Sequence, residues 1–384
     1  MAEVFLTGAT GFLGGELLRE LLEHDRRRIA CLIRAESADA AQLRGAEALD
    51  RALGRPPRPE ERARVDWVWG DIEAPGLGWS DAQRAGVVRE VREIFHCAAT
   101  TRFDLPLDEA ERVNVVGLRS IVELAESCRA HGSFRRLHHV STAYVAGMTN
   151  GDAIADDLPA DDHTFRNSYE RTKARAERAL RTHATLPVSI YRPSIIIGDS
   201  RRGRTTGWST IYFPMRMVAG GHVRYLPWAG AQRLDCVPVD FVARAIRVLA
   251  RRDDTLGRCF HLTAGNEAIT VERLLRETLA GIARRGEVLP DPPARGVGRL
   301  GWGALSLGYR LFATGARRRG FERFREYVPY LRISTVFDNR RELELLAKEG
   351  VPLPDVDQFL CRVVDFALAQ NFGRDEDRPR IQTR

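Results

Sequence analysis

Apolar residues in the first half of the chain alternate between short clusters and helical spacing. Val4-Phe5-Leu6 reads as a short buried strand, and Leu13, Leu17, Leu18, Leu21 and Leu22 then follow one helical face. Ile29 to Ile33 is a second strand. Residues 35–64 predict helix up to the break at Pro56, Pro57 and Pro59, and Val65 to Trp69 predicts a third strand. The alternation continues with helix over 81–92, strand at Glu93 to Cys97, helix over 108–131 and strand at Leu137 to Ser141. Helix follows over 168–183, then strand at Val188 to Tyr191. Strands alternating with helices predict an α/β fold on a doubly wound parallel sheet. After Pro193 the pattern weakens, and Val237 to Ala250 reads as a strand plus helix. Cys259 to Leu262 reads as a late strand, and residues from 270 are mainly helical. This divides the chain into 1–198, with 236–265 returning to it, and a smaller, mainly helical region of 199–235 and 266–384.

A glycine run sits where such a sheet binds ligands. Thr7-Gly8-Ala9-Thr10-Gly11-Phe12-Leu13-Gly14 leaves the first strand and opens the first helix. In that context Gly8 permits the tight turn, Gly11 lets backbone approach a pyrophosphate, and Gly14 lets helix and strand pack closely, a Rossmann-type arrangement. The helix N-terminus offers free N–H groups and a positive dipole end to phosphates, which brings Thr10, Phe12 and Leu13 into the candidate site. Some twenty residues on, a carboxylate would hold the ribose of NAD and an arginine the 2′-phosphate of NADP. Arg34 occupies that place, with Arg44 as a second charge, so NADPH is the expected cofactor; Glu36 is the competing carboxylate. Asp71 and Ile72, after the third strand, are placed to flank adenine, or else to make a turn.

Composition sharpens the chemistry. Of 59 basic residues only Lys173 and Lys348 are lysine. Where arginine is the default cation, a lysine draws attention for chemistry that arginine cannot do. Lys173 closes Tyr169-Glu-Arg-Thr-Lys173, and residues four apart share a helix face. An ammonium there favours the phenolate and eases proton donation at neutral pH. Ser141-Thr142 ends the fifth strand, and ligands bind at the carboxyl ends of parallel strands. Thr142, chosen over Ser141 for its spacing before Val145-Ala-Gly147, would hydrogen-bond a substrate carbonyl together with Tyr169. His96, His138 and His139 read as strand packing positions, and no His/Cys/Glu cluster has metal-ligand spacing.

The remaining features bound the setting. Apolar residues at 44% and charged residues at 29% exclude a disordered or fibrous chain. No apolar run is long enough to span a bilayer, and no secretory signal pattern opens the chain. Six scattered cysteines without a Cys-x-x-Cys pair read as buried thiols of a reducing, cytoplasmic compartment. The net charge of +7 fits an anionic partner such as a phosphorylated cofactor. Its short, separated basic clusters argue against nucleic acid.

In order, the glycine run, Gly70-Asp71-Ile72, His96-Cys-Ala-Ala99, Asn114, Ser141-Thr142, Tyr169-x-x-x-Lys173 and Arg192-Pro-Ser194 resemble the extended short-chain dehydrogenase/reductase superfamily. Phe95-His-Cys-Ala-Ala-Thr-Thr-Arg-Phe-Asp104 and Tyr191-Arg-Pro-Ser-Ile-Ile-Ile-Gly-Asp199 look more narrowly like its thioester reductase and fatty acyl-CoA reductase branch. The resemblance covers about residues 3–265 well. It implies NADPH-dependent reduction of an acyl thioester to an aldehyde, and onward to an alcohol in some members. It also implies a Thr142-Tyr169-Lys173 triad and cofactor contacts at Ala98, Ala99, Asn114, Pro193, Ser194 and Ile195. The glycine run begins at residue 8, so the acyl group is expected to arrive on a separate carrier protein or on coenzyme A. Arginines in 201–233 and 295–325 would meet phosphates or an acidic carrier, or simply be solvated. Leu300 to Phe312 would line an acyl tunnel, touch a membrane surface peripherally, or pack as a plain helix. The alternative at the level of function is a superfamily member acting on a ketone, a hydroxysteroid-type or a nucleotide-sugar substrate. No oligomeric state follows from the sequence.

Overall fold

A computed structural model describes residues 2–132, 134–148, 151–154, 158, 165–183, 185–208, 210–223, 225–226, 232–287, 295–312, 314–332 and 335–373. Most of residues 152–162, a stretch that the sequence reads as an irregular acidic loop with five aspartates, and the charged tail from Arg374 lie outside them. The chain divides into two compact units: Met1–Ser194 with Val239–Thr263 and Phe337–Pro352, and Ile195–Pro238 with Ala264–Val336 and Leu353–Arg384.

In the first unit seven strands form one sheet. They are β1 (Val4–Thr7), β2 (Ile29–Ile33), β3 (Val65–Trp69), β4 (Glu93–His96), β5 (Arg136–Val140), β6 (Val188–Pro193) and β7 (Cys259–Leu262). The order is β7-β6-β5-β4-β1-β2-β3, every pairing is parallel, and Val4 is in register with both Ile29 and Glu93. The winding therefore reverses between β1 and β4, which opens the ligand-binding crevice of a doubly wound sheet at their carboxyl ends. Both faces are covered, which explains the near-continuous apolar runs of β1 and β2. Phe5, Ile94 and Leu137 pack with Leu118, Ile121 and Leu124 of the helix Gly117–Ala130. The helix Phe12–His24 buries Leu17, Leu18 and Leu21 and packs on the helix Val239–Ala250.

Two findings differ from the sequence reading. The helix expected over 108–131 is interrupted by one wide π-type turn at Arg112–Val116. Gly117 follows it, where a Cβ would lie 2.7 Å from Ile72 Cδ1, so close packing under β3 fixes where the regular helix resumes. The segment Phe337–Pro352, expected in the helical region, belongs to the sheet unit. Asn339 Nδ2 donates to Thr263 O at 2.6 Å just past β7, and the Asp338 N–H donates to Ala153 O at 3.0 Å. Tertiary contacts of this kind leave no periodicity to read.

The second unit is mainly helical. The helices Val271–Arg284 and Val356–Ala369 cross closely at Gly281, where a Cβ would be 2.8 Å from Val364 and Leu368 side chains. Arg299–Phe312 is helical and buries Trp302 against Phe321 and Phe324 of the helix Gly315–Arg325, leaving Leu307 exposed.

Candidate active site

The glycine turn is built by exclusion. Gly8 has φ +80°, and a Cβ there would meet Ala98 N at 2.7 Å, across the β1/β4 crevice. A Cβ on Gly14 would lie 2.1 Å from Gly8 O, so the helix rests directly on the turn. Gly11 is the helix N-cap with no side chain to occupy the free N–H groups, and no acidic residue sits in the first turn. The dipole end is therefore left available to an anion, and this bare cradle fits a dinucleotide pyrophosphate. Thr7, which the sequence reading passed over, ties the two strand ends together. Its Oγ1 lies 2.8 Å from His96 Nδ1 and accepts from Ala98 N at 3.2 Å.

Around this turn the candidate cofactor residues divide. Arg34 is exposed at the end of β2, 3.6 Å from Glu73, and Arg44 Nη1 donates to Arg34 O at 2.6 Å. Glu36 is exposed as well. Asp71 accepts from Glu73 N at 3.0 Å, a turn role, and Ile72 is buried beneath it. Ala98 and Ala99 follow β4 and are partly buried. Asn114 lies in the wide turn, fully buried. Its Nδ2 donates to Thr172 Oγ1 at 2.9 Å and Thr100 O at 3.2 Å, while Oδ1 accepts from Thr100 N at 3.0 Å. Such wide turns recur at functional sites. Pro193 closes β6, Ser194 ends the first unit, and Ile195 opens the second. The hydroxyls of Ser194 and Ser141 are buried without a hydrogen-bond partner.

The candidate triad of Thr142, Tyr169 and Lys173 is set by the helix Ser168–Arg181. Asn167 caps it, accepting from Glu170 N at 3.0 Å, and Ser168 Oγ donates to Leu105 O at 2.8 Å. Its start is thereby fixed to the loop that follows β4. The Tyr169 and Thr142 hydroxyls are hydrogen-bonded to each other, and Thr142 Oγ1 also donates to Pro193 O at 3.4 Å. Lys173 is buried, and its Nζ donates to Val140 O at 2.6 Å. The electrostatics differ from the expectation that an ammonium lowers the phenol. Burial pushes Tyr169 up to about 12, against the Thr142 hydrogen bond that lowers it. Lys173 is pulled down to about 8 by burial, with Glu177 and Cys97 acting in the opposite direction. Desolvation therefore outweighs the pairing that spacing suggested.

The histidines are packing groups. His138 stacks on Phe95 with ring centroids 4.3 Å apart, and His96 lies over His139. Burial holds all three neutral, His96 down to about 3. As pH falls below about 6.5, the unfolded chain takes up protons that the folded histidines refuse, so stability falls with acidification. The expected loss is about 1.4 kcal/mol per pH unit for each histidine, read from urea midpoints between neutral and mildly acid pH. A His139→Leu variant should show a shallower slope, and an equal slope would refute the assignment. Among the described residues, metal-type ligand atoms gather only at Glu20, Glu23 and His24, and Glu20 is already ion-paired with Arg247 at 3.1 Å. No described helix is long and apolar enough to cross a membrane.

A doubly wound parallel sheet with a bare glycine turn at its crevice defines a Rossmann-type NAD(P)-binding domain. The family model of an NAD-binding family described as male sterility protein matches residues 6–246, and the chain belongs to this family, within the extended short-chain dehydrogenases/reductases. It is 31% identical over 273 residues to nonribosomal peptide synthetase asaC of Aspergillus flavus, covering 68% of this chain and 26% of that protein. It is also 31% identical over 276 residues to fatty acyl-CoA reductase wat of Drosophila melanogaster, covering 63% of this chain and 53% of that one. The chain thus spans about a quarter of the first relative and about half of the second. The solved terminal R domain from the myxalamid PKS-NRPS biosynthetic pathway shares the fold, with a TM-score of 0.80 and 24% identity over 97% of this chain and 92% of that one.

Proposed function

We propose that this domain reduces an acyl thioester, delivered on a carrier protein or on coenzyme A, to an aldehyde, with NADPH as reductant. The observation that carries the reading is the hydrogen-bonded Thr142–Tyr169 pair at the carboxyl end of β5, with Lys173 one helical turn beyond Tyr169. The names of the relatives, a nonribosomal peptide synthetase and a fatty acyl-CoA reductase, support thioester chemistry.

The dinucleotide, when bound, supplies a hydride to the carbonyl carbon. Thr142 and Tyr169 donate hydrogen bonds to the carbonyl oxygen, and these strengthen as it becomes an oxyanion. The tetrahedral adduct then collapses to the aldehyde, the C–S bond breaks, and the thiolate takes a proton from solvent. In a second reduction, of aldehyde to alcohol, Tyr169 gives its proton to the alkoxide. The reading follows turnover: NADPH oxidation is measured with acyl-CoAs, a carrier-bound acyl group, an aldehyde and a ketone. Consumption with thioesters supports it, and turnover on ketones alone would refute it.

Support for NADPH over NADH comes from the two exposed guanidinium groups at the end of β2, since arginine forks suit phosphate. Arg34→Ala should weaken NADPH binding by roughly tenfold or more, the scale of one charge-assisted contact, and leave NADH binding nearly unchanged. Titration of both dinucleotides measures this, and equal losses would remove the case for NADPH.

A further inference from the structure

The face that carries Tyr169 and Lys173 does not end there. Glu177 lies one turn beyond Lys173 on the same helix, and it is fully buried. Arg192 of β6, also buried, clamps it: Nε donates to Oε1 at 3.0 Å and Nη2 to Oε2 at 2.6 Å. Buried ion pairs are costly to desolvate, and apolar replacements often match them in stability. Folding alone therefore gives this pair little reason to exist beneath an active site.

Lys173 supplies a reason. A buried ammonium gives up its proton unless an anion faces it. The titratable groups that face Lys173 are His96 and Cys97 at the end of β4, His139 of β5 and Glu177 of its own helix, with Tyr169 one turn earlier on that helix. Burial holds both histidines neutral, and it pushes the Cys97 thiol and the Tyr169 phenol each up to about 12. Glu177 is the one carboxylate in that set.

We propose that Glu177, clamped by Arg192, is a positioning residue: it is the buried counter-charge that keeps Lys173 an ammonium behind Tyr169. Arg192 fixes the carboxylate in place; Glu177 touches no substrate and acts through Lys173. The catalytic meaning of this arrangement rests on the reductase reading above, whereas the ionic relation does not.

The composition makes the test direct. Lys173 and Lys348 are the only lysines, and Lys348 is exposed. Protein grown on lysine carbon-labelled at Cε gives two signals by NMR, with Lys348 as internal reference. In the wild type, Lys173 should be charged at neutral pH. In Glu177→Gln its titration should move down by about one unit or more, which cuts the ammonium population at pH 8 about fivefold. The double variant Glu177→Gln with Arg192→Met leaves no orphaned guanidinium and should also move the Lys173 titration down if the single variant fails to fold. An unmoved Lys173 titration in either folded variant, or a wild-type Lys173 already neutral at pH 7, would overturn the proposal. The pH profile of kcat/KM for NADPH with an acyl-CoA should lose its alkaline limb by the same interval in the variant. A limb that stays put while the Lys173 signal moves would overturn the positioning role. If no thioester turns over, the reductase reading fails while the titration still decides this one.

Discussion

Tyr169→Phe should reduce the proposed thioester-reducing rate by roughly 10³-fold and leave dinucleotide binding intact. Removing a single oxyanion donor costs roughly 10²–10³-fold in turnover, and loss of a positioned proton donor costs a similar factor. Both roles converge here on one hydroxyl, which is hydrogen-bonded to Thr142. The ring packs 5.9 Å from Phe103 and keeps that contact as phenylalanine, so the fold should hold. The candidate cofactor cradle of Gly8, Gly11 and Gly14 lies at another strand end and is untouched. NADPH oxidation with an acyl-CoA, set beside dinucleotide titration by fluorescence, measures both halves. Turnover within a few-fold of wild type would remove Tyr169 from the mechanism. The wild-type profile should fall above about pH 8, where Lys173 loses its proton, since the phenol held at about 12 stays protonated there.

Gly14→Ala should weaken dinucleotide binding about tenfold or more and lower the unfolding midpoint. The added methyl would stand 2.1 Å from Gly8 O, 2.6 Å from Gly8 C and 3.1 Å from Ala9 N. All three are backbone atoms, so no rotamer can yield, and the helix must lift from the turn or the turn must move. Overpacking of this kind costs about 1–3 kcal/mol, and 1.4 kcal/mol is tenfold in affinity. Gly86 is the control. It lies inside the helix Asp81–Glu90, and a Cβ there would have nothing within 4 Å. Gly86→Ala should therefore leave binding alone and stabilise the protein by up to about 1 kcal/mol. Thermal melts and calorimetric titration of both variants decide the matter. Equal behaviour of the two would mean that the turn tolerates a side chain, contrary to its geometry.

Much of this was legible along the chain because it is local. The strand at Ile29–Ile33, the helix at Ser168–Arg181 and the glycine turn between strand and helix each depend on neighbours in sequence, and periodicity reports them. The spacing of Tyr169 and Lys173 likewise places both on one helix face. Signals that need a partner far along the chain were not legible. Thr7 opens the glycine run, but no role for its hydroxyl follows from the sequence, and its link to His96 and Ala98 exists only because β1 and β4 lie side by side. Asn114 could be named from the resemblance, but its bonds to Thr172 and Thr100 depend on a wide turn that no hydrophobic pattern encodes.

The sequence by itself determined the parallel sheet, the bare turn and the order of the candidate catalytic side chains, because hydrophobic period and glycine placement act within a few residues. Only the tertiary structure decided the charge states. Burial raises Tyr169 and lowers Lys173, reversing for the phenol what spacing alone implied. The return of Phe337–Pro352 to the sheet unit and the clamp of Glu177 by Arg192 were decided there as well. Desolvation depends on everything packed around a group, and a linear sequence holds no measure of it.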